Sequence, residues 1–99
     1  MNYVKITFPE KRGNHFLGFS KFDIDITSNS RLMIKDLNKN EFHIINECKI
    51  HSLKILSTWL EISVSGYLYS DKKRAYDAVD CEIILEDIAE IIKLKNKSK

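Results

Sequence analysis

Polar and apolar residues alternate along most of the chain. Val4, Ile6 and Phe8 alternate with Tyr3, Lys5 and Thr7, the period-two signature of a half-buried strand. Pro9 ends that run because it has no N–H to give to a ladder, and residues 10–14 read as a charged loop. In the next run, Phe22, Ile24 and Ile26 oppose Lys21, Asp23 and Asp25, while Leu17 and Phe19 have the other parity. A bulge at Gly18 would account for that flip. Residues 27–30 form a turn by composition, and Leu32 and Ile34 then alternate with Arg31, Met33 and Lys35. A tight connection is expected over 36–40, and Phe42 and Ile44 open a further strand.

The clearest alternation follows. Leu60, Ile62, Val64 and Leu68 share one parity, and Trp59, Glu61, Ser63, Ser65, Tyr67 and Tyr69 share the other. Ile50, Leu53 and Ile55 belong to the strand before it, joined through a short connection at Ser57 and Thr58. Residues 70–74 form a polar turn. From about Asp80 the period changes. Cys81, Ile84, Leu85, Ile88, Ile91 and Ile92 recur at three- and four-residue spacing and predict an amphipathic helix, with Asp80 as its N-cap. Ile83 and Leu94 fall off that stripe. The expected fold class is therefore α+β: a mostly antiparallel sheet of about six strands with one C-terminal amphipathic helix packed on one face. Residues 1–99 are expected to form a single domain, since two cores would each bury too little surface.

Charge is uneven. The net charge is only +2, too close to balance to argue for nucleic acid by itself. Residues 76–90 nevertheless carry Asp77, Asp80, Glu82, Glu86, Asp87 and Glu90 with no Lys or Arg, and Lys93, Lys95, Lys97 and Lys99 follow. The N-terminus has no basic region leading into a long apolar run, so no export signal is expected. No stretch approaches the roughly 18 apolar residues of a membrane helix. Cys48 and Cys81 are expected to be free thiols in the cytoplasm, with a single disulfide as the alternative.

No arrangement of residues points to catalysis. Cys48 and His51 would lie on opposite faces of one strand, and no second close Cys or His pair completes a zinc set, so no metal and no other cofactor is expected. There is no G-x-S-x-G, and none of the three glycines opens a phosphate-binding loop. Cys81 stands at the start of the predicted helix, which favours a thiolate, but it also lies on the apolar stripe, which favours a buried inert thiol. Asp23 and Asp25 share the polar face of a strand, as solvated carboxylates do. Lys72, Lys73 and Arg74 follow Tyr67 and Tyr69, the basic–aromatic combination that can hold single-stranded nucleic acid. The acidic run begins immediately afterwards and would repel phosphate on the same surface.

Residues 58–66 (Thr-Trp-Leu-Glu-Ile-Ser-Val-Ser-Gly), then Ala78-Val79-Asp80-Cys81, then residues 84–92 (Ile-Leu-Glu-Asp-Ile-Ala-Glu-Ile-Ile) resemble small immunity proteins of bacterial polymorphic toxin systems, of the contact-dependent inhibition and Rhs types. The resemblance covers about residues 58–92. It implies a non-enzymatic inhibitor that binds a cognate toxin domain, often a basic nuclease, through acidic side chains and aromatic anchors. The partner-binding residues it singles out are Trp59, Tyr67, Tyr69, Tyr76, Asp77, Asp80, Glu82, Glu86, Asp87 and Glu90. The alternative is a small nucleic-acid-binding or phage-derived regulatory protein using Lys72, Lys73, Arg74 and the aromatic face. A minor enzyme or ligand-binding domain stands third.

Overall fold

Alternating side chains put seven strands into one antiparallel sheet. The structure, a computed structural model, describes residues 2–13, 15–26, 30–56 and 59–86. The strands are β1 (Tyr3–Thr7), β2 (Phe16–Phe19), β3 (Phe22–Ile26), β4 (Leu32–Asp36), β5 (Glu41–Leu56), β6 (Trp59–Ser70) and β7 (Ala75–Leu85). Their order across the sheet is β2-β1-β7-β6-β5-β4-β3.

That order makes the sheet curl. β2 and β3 lie at its two opposite edges, yet only Ser20 and Lys21 separate them in sequence. Every neighbouring pair is antiparallel, so β2 and β3 run in the same sense. Two same-sense strands joined by two residues form one bent strand rather than a hairpin. Its first half pairs with β1 and its second with β4. The Cα atoms of Phe19 and Phe22 can be at most about 11 Å apart. The two edges therefore meet at this corner, and the sheet is an incomplete barrel whose open seam falls at the bend.

The bend also explains the parity flip. The β1–β2 register runs regularly through Lys5 and Gly18, so Gly18 is not a bulge. The facing changes at Ser20 and Lys21 instead, which lets Phe19 and Phe22, three positions apart, both turn inward and become buried. Val4, Ile6, Ile34, Ile45, Val79 and Ile83 fill the same interior. Asp36 is also buried at the end of β4, where its carboxylate accepts the backbone N–H of Asn38 at 3.0 Å and of Lys39 at 3.4 Å. This side-chain turn closes the β4–β5 connection, and Asn40 completes it at φ 55°.

The α+β expectation is overturned. Among the described residues there is no helix, and the segment read as the start of one is the end of β7. β7 is hydrogen-bonded to β1 on one side and β6 on the other. Over Asp80–Ile84 the backbone is paired on both sides, and the alternate side chains of that segment are buried. Cys81, Ile83 and Leu85 point inward, and Asp80, the expected N-cap, sits mid-strand opposite Thr7 and Ser65. Ile83, off the predicted helical stripe, is 1% exposed. The remainder of that stripe, Ile88, Ile91 and Ile92, lies outside the described residues.

The fourth and fifth expected strand pieces are one strand, β5, kept in register with β6 by two irregularities, between Asn46 and Lys49 and between Ile50 and Ser52. Each shifts the facing by one residue. The inward positions of β5 therefore pass from His43 and Ile45 to Cys48 and Ile50, and then to Leu53 and Ile55.

Candidate partner-binding face

The outer surface of β5, β6 and β7 gathers most of the exposed aromatic side chains that the sequence singles out. Tyr67 and Tyr69 alternate outward along β6, and Tyr76 does so on β7. Tyr69 and Tyr76 are direct cross-strand partners, with ring centroids 5.1 Å apart and planes tilted by 58°. The tilt leans towards the edge-to-face arrangement that aromatic quadrupoles favour. Tyr76 is 59% exposed, so the pair presents ring surface to solvent rather than closing on itself. A groove of about 640 Å³ is lined by Tyr67, Tyr76, Arg31, Asn46 and Glu47. A second depression continues from it along Lys49, Ser65 and Asp80 and shares Glu47 and Tyr67.

Backbone shape builds the groove. Glu47 takes φ 51° at the first bulge of β5, where the register with β6 shifts. Gly66 lies beneath it. A Cβ there would come 2.7 Å from the Asn46 carbonyl oxygen and collide with the Ile45 side chain. Only glycine admits so close an approach of two backbones. Further along, His51 Nε2 and Ser65 Oγ share a 2.6 Å hydrogen bond across the two strands.

The predicted site residues divide between several places. Tyr67, Tyr69 and Tyr76 come together. Trp59 begins β6 opposite Leu56 and is half-buried, so it stands apart from the tyrosines, and its indole nitrogen is buried without a hydrogen-bond partner among the described residues. Asp77 has inward parity near the β6–β7 turn, where its Oδ2 lies 3.3 Å from Lys11 Nζ and 3.8 Å from Lys73 Nζ. Asp80 and Glu82 face outward on β7, and Glu82 is the register partner of Lys5. Glu86 is exposed just past the end of β7, and its backbone N–H donates to Asn2 Oδ1 at 2.8 Å. Asp87 and Glu90 lie outside the described residues. The acidic residues from Asp77 to Glu86 thus extend over about 30 Å, with Asp77 of inward parity and Asp80 and Glu82 outward, instead of forming one helical surface.

Lys72, Lys73 and Arg74 occupy the β6–β7 turn, with Arg74 at φ 52°. One register step, Ser70 with Ala75, separates this turn from the Tyr69–Tyr76 pair. Arg31, Asn46 and Glu47 were not legible as site residues. The usable signal was Gly66 within an otherwise regular strand pattern, which marks a close approach by a neighbouring backbone.

Inside the barrel the chemistry is quiet. Cys48 and Cys81 are both free thiols. Burial, assisted by the neighbouring Cys48 and Glu82, pushes the Cys81 thiol up to about 12, and burial also raises that of Cys48. Neither is a thiolate near neutral pH, so neither is an activated nucleophile. Among the described residues no three His, Cys, Asp or Glu side chains converge on a metal position. Among the same residues no helix is long and apolar enough to cross a membrane.

Among the described residues, fold and face together define an all-β unit: a curled antiparallel sheet with a tyrosine-lined groove on its outer surface. No protein-family model matches the chain, and no curated protein and no solved structure matches it either.

Proposed function

We propose that this is a cytoplasmic binding protein that neutralises a cognate bacterial toxin by docking it on the outer face of β5, β6 and β7. The observation that carries the reading is the exposed cluster of Tyr67, Tyr69 and Tyr76, of which Tyr67 and Tyr76 line one groove bordered by charges of both signs from Arg31, Glu47 and Asp80. Tyrosines on a rigid sheet supply large contact area at little entropic cost, and they are favoured as interface anchors. The outward carboxylates of Asp80 and Glu82 lie on the same strand as Tyr76, where they would meet a basic partner. The two free cysteines support a reducing compartment.

A second reading has its own observation. The tilted Tyr69–Tyr76 pair lies one register step from Lys72, Lys73 and Arg74, exposed aromatic rings next to a basic turn that would hold single-stranded nucleic acid.

Capture from lysate of the native cell, with and without nuclease, compares the wild-type chain with the Tyr67→Ala/Tyr76→Ala variant. The toxin reading expects one protein with a toxin domain that survives nuclease and is lost from the variant. Recovery of nucleic acid alone, abolished when Lys72, Lys73 and Arg74 are neutralised, would overturn it in favour of the second.

A further inference from the structure

The longest strand extends beyond its neighbour. β4 pairs with β5 only over residues 41–45, and Cys48 N–H donates to the Ser30 carbonyl at 2.8 Å. From Lys49 to Leu56, β5 is hydrogen-bonded among the described residues to β6 alone. An antiparallel strand directs alternate residues to each side, so about four residues there have N–H and C=O groups facing an edge that no other described strand pairs with. Natural sheets seldom leave so long an edge uncovered.

The side chains along this edge are sorted by face. Leu53 pairs with Ile62 and Ile55 with Leu60, which places both on the interior side of the sheet. Ile50, Leu53 and Ile55 are nonetheless 58%, 56% and 56% exposed, because the short β3 and β4 do not reach over them. Ile50 lines an apolar hollow of about 190 Å³ with Ile24, Ile26, Leu32, Ile62 and Val64, and Leu53 and Ile55 follow it along the same side of the strand. The other face of the same segment carries Lys49, Lys54 and His51, and residues 49–56 contain no acidic side chain.

We infer that the Lys49–Leu56 edge is a strand-addition site for an extended segment of a partner protein in which apolar residues alternate with acidic ones. The added strand extends the sheet through backbone hydrogen bonds. Its apolar side chains lie over the hollow beside Ile50, Leu53 and Ile55. Its carboxylates, on the opposite face, come beside Lys49 and Lys54. Charge argues against a second copy as occupant, because two antiparallel β5 edges would bring four lysines into one ladder. This edge adjoins the depression beside the tyrosine groove at Lys49, but its test, peptide binding and amide protection within 49–56, does not depend on that reading.

The test uses the full chain and a blocked octapeptide of alternating glutamate and valine, with a lysine–valine octapeptide as control. Binding is followed by Trp59 fluorescence, since Trp59 pairs with Leu56 at the end of the edge, and by amide hydrogen exchange. The acidic peptide should bind and slow exchange of amides within 49–56, and the control should not. Lys49→Glu/Lys54→Glu, two exposed positions, should weaken the acidic peptide by about ten-fold and admit the lysine peptide. The proposal fails if both peptides bind alike, or if the charge reversal changes nothing. It also fails if the free protein sediments as a dimer with those amides already protected. Binding that appears only in a chain ending at Glu86 would assign the edge to the protein's own C-terminal residues and overturn it equally.

Discussion

The ring of Phe19, on β2, packs against the imidazole of His43, on β5, with centroids 4.9 Å apart and planes tilted by 34°. These strands are four steps apart in the sheet order, so the contact crosses the barrel interior. It acts as a clasp between the edge that carries β2 and the wall that carries β5. Its histidine is desolvated, and Nε2 is buried with no hydrogen bond, the nearest acidic oxygen being Glu41 Oε2 at 4.0 Å.

That position makes the clasp sensitive to acid. Burial lowers the His43 pKa below its ordinary 6.5, against the opposing pull of Glu41 and Asp36. A depressed pKa means the unfolded chain binds the proton more readily. The contribution of neutral His43 is thus present above pH 6.5 and is lost as pH falls through the folded-state value. Urea midpoints should therefore drop between pH 6.5 and 5 in the wild type. The drop should be smaller in His43→Gln, and an unchanged slope in that variant would show that another group is responsible.

Gly66 should tolerate no side chain. Alanine would drive a methyl against the Asn46 carbonyl and Ile45, so β5 would have to lift from β6 at the bulge that shapes the groove. Gly66→Ala is expected to cost about 2 kcal/mol in chemical denaturation, within the range for overpacking. It should also shift the NMR resonances of Tyr67 and Asn46. Alanine at Gly18, where an added Cβ meets nothing closer than the Val4 carbonyl at 4.0 Å, should cost much less.

Cys81 links stability to alkaline pH. Its thiol titrates at about 12 when folded and near 9 when exposed. Between those values the folded chain keeps a proton that the unfolded chain has lost. Stability present below pH 9 should therefore fall as pH rises, by roughly 1.4 kcal/mol per unit at most. Alkylation at pH 8 should label Cys48 first and Cys81 only on unfolding, and Cys81→Ala should flatten the alkaline limb.

Ile83 and Ile84 distinguish strand from helix in solution. On a strand Ile83 is core and Ile84 faces outward opposite Tyr3 and Glu61, whereas a helical stripe would bury Ile84 and exclude Ile83. Ile83→Ala should cost about 2–4 kcal/mol and Ile84→Ala roughly 1 kcal/mol or less. The reverse order would restore the helical reading.

Local pattern and tertiary structure contributed differently to these conclusions. Alternation alone located β1, β3, β4 and β6 with their inward residues, because a half-buried strand writes its facing into every second position. It also placed Tyr67 and Tyr69 on the solvent side. The tertiary structure decided the rest. At β7, Cys81, Ile84 and Leu85 fit a helical stripe while Cys81, Ile83 and Leu85 fit a strand. Pairing with β1 and β6 selects the strand, and neither partner is near in sequence. The bend at Ser20 and Lys21 is equally hidden, since it exists only because two distant edges meet there. Two bulges in β5 reset its parity and gave a fragmented reading of one strand. Tyr76, Arg31 and Glu47 reach the tyrosine groove only after β7 and the bulge are in place. Pattern records which side of an element is dry, but which elements lie next to one another follows from contacts between residues far apart in the chain.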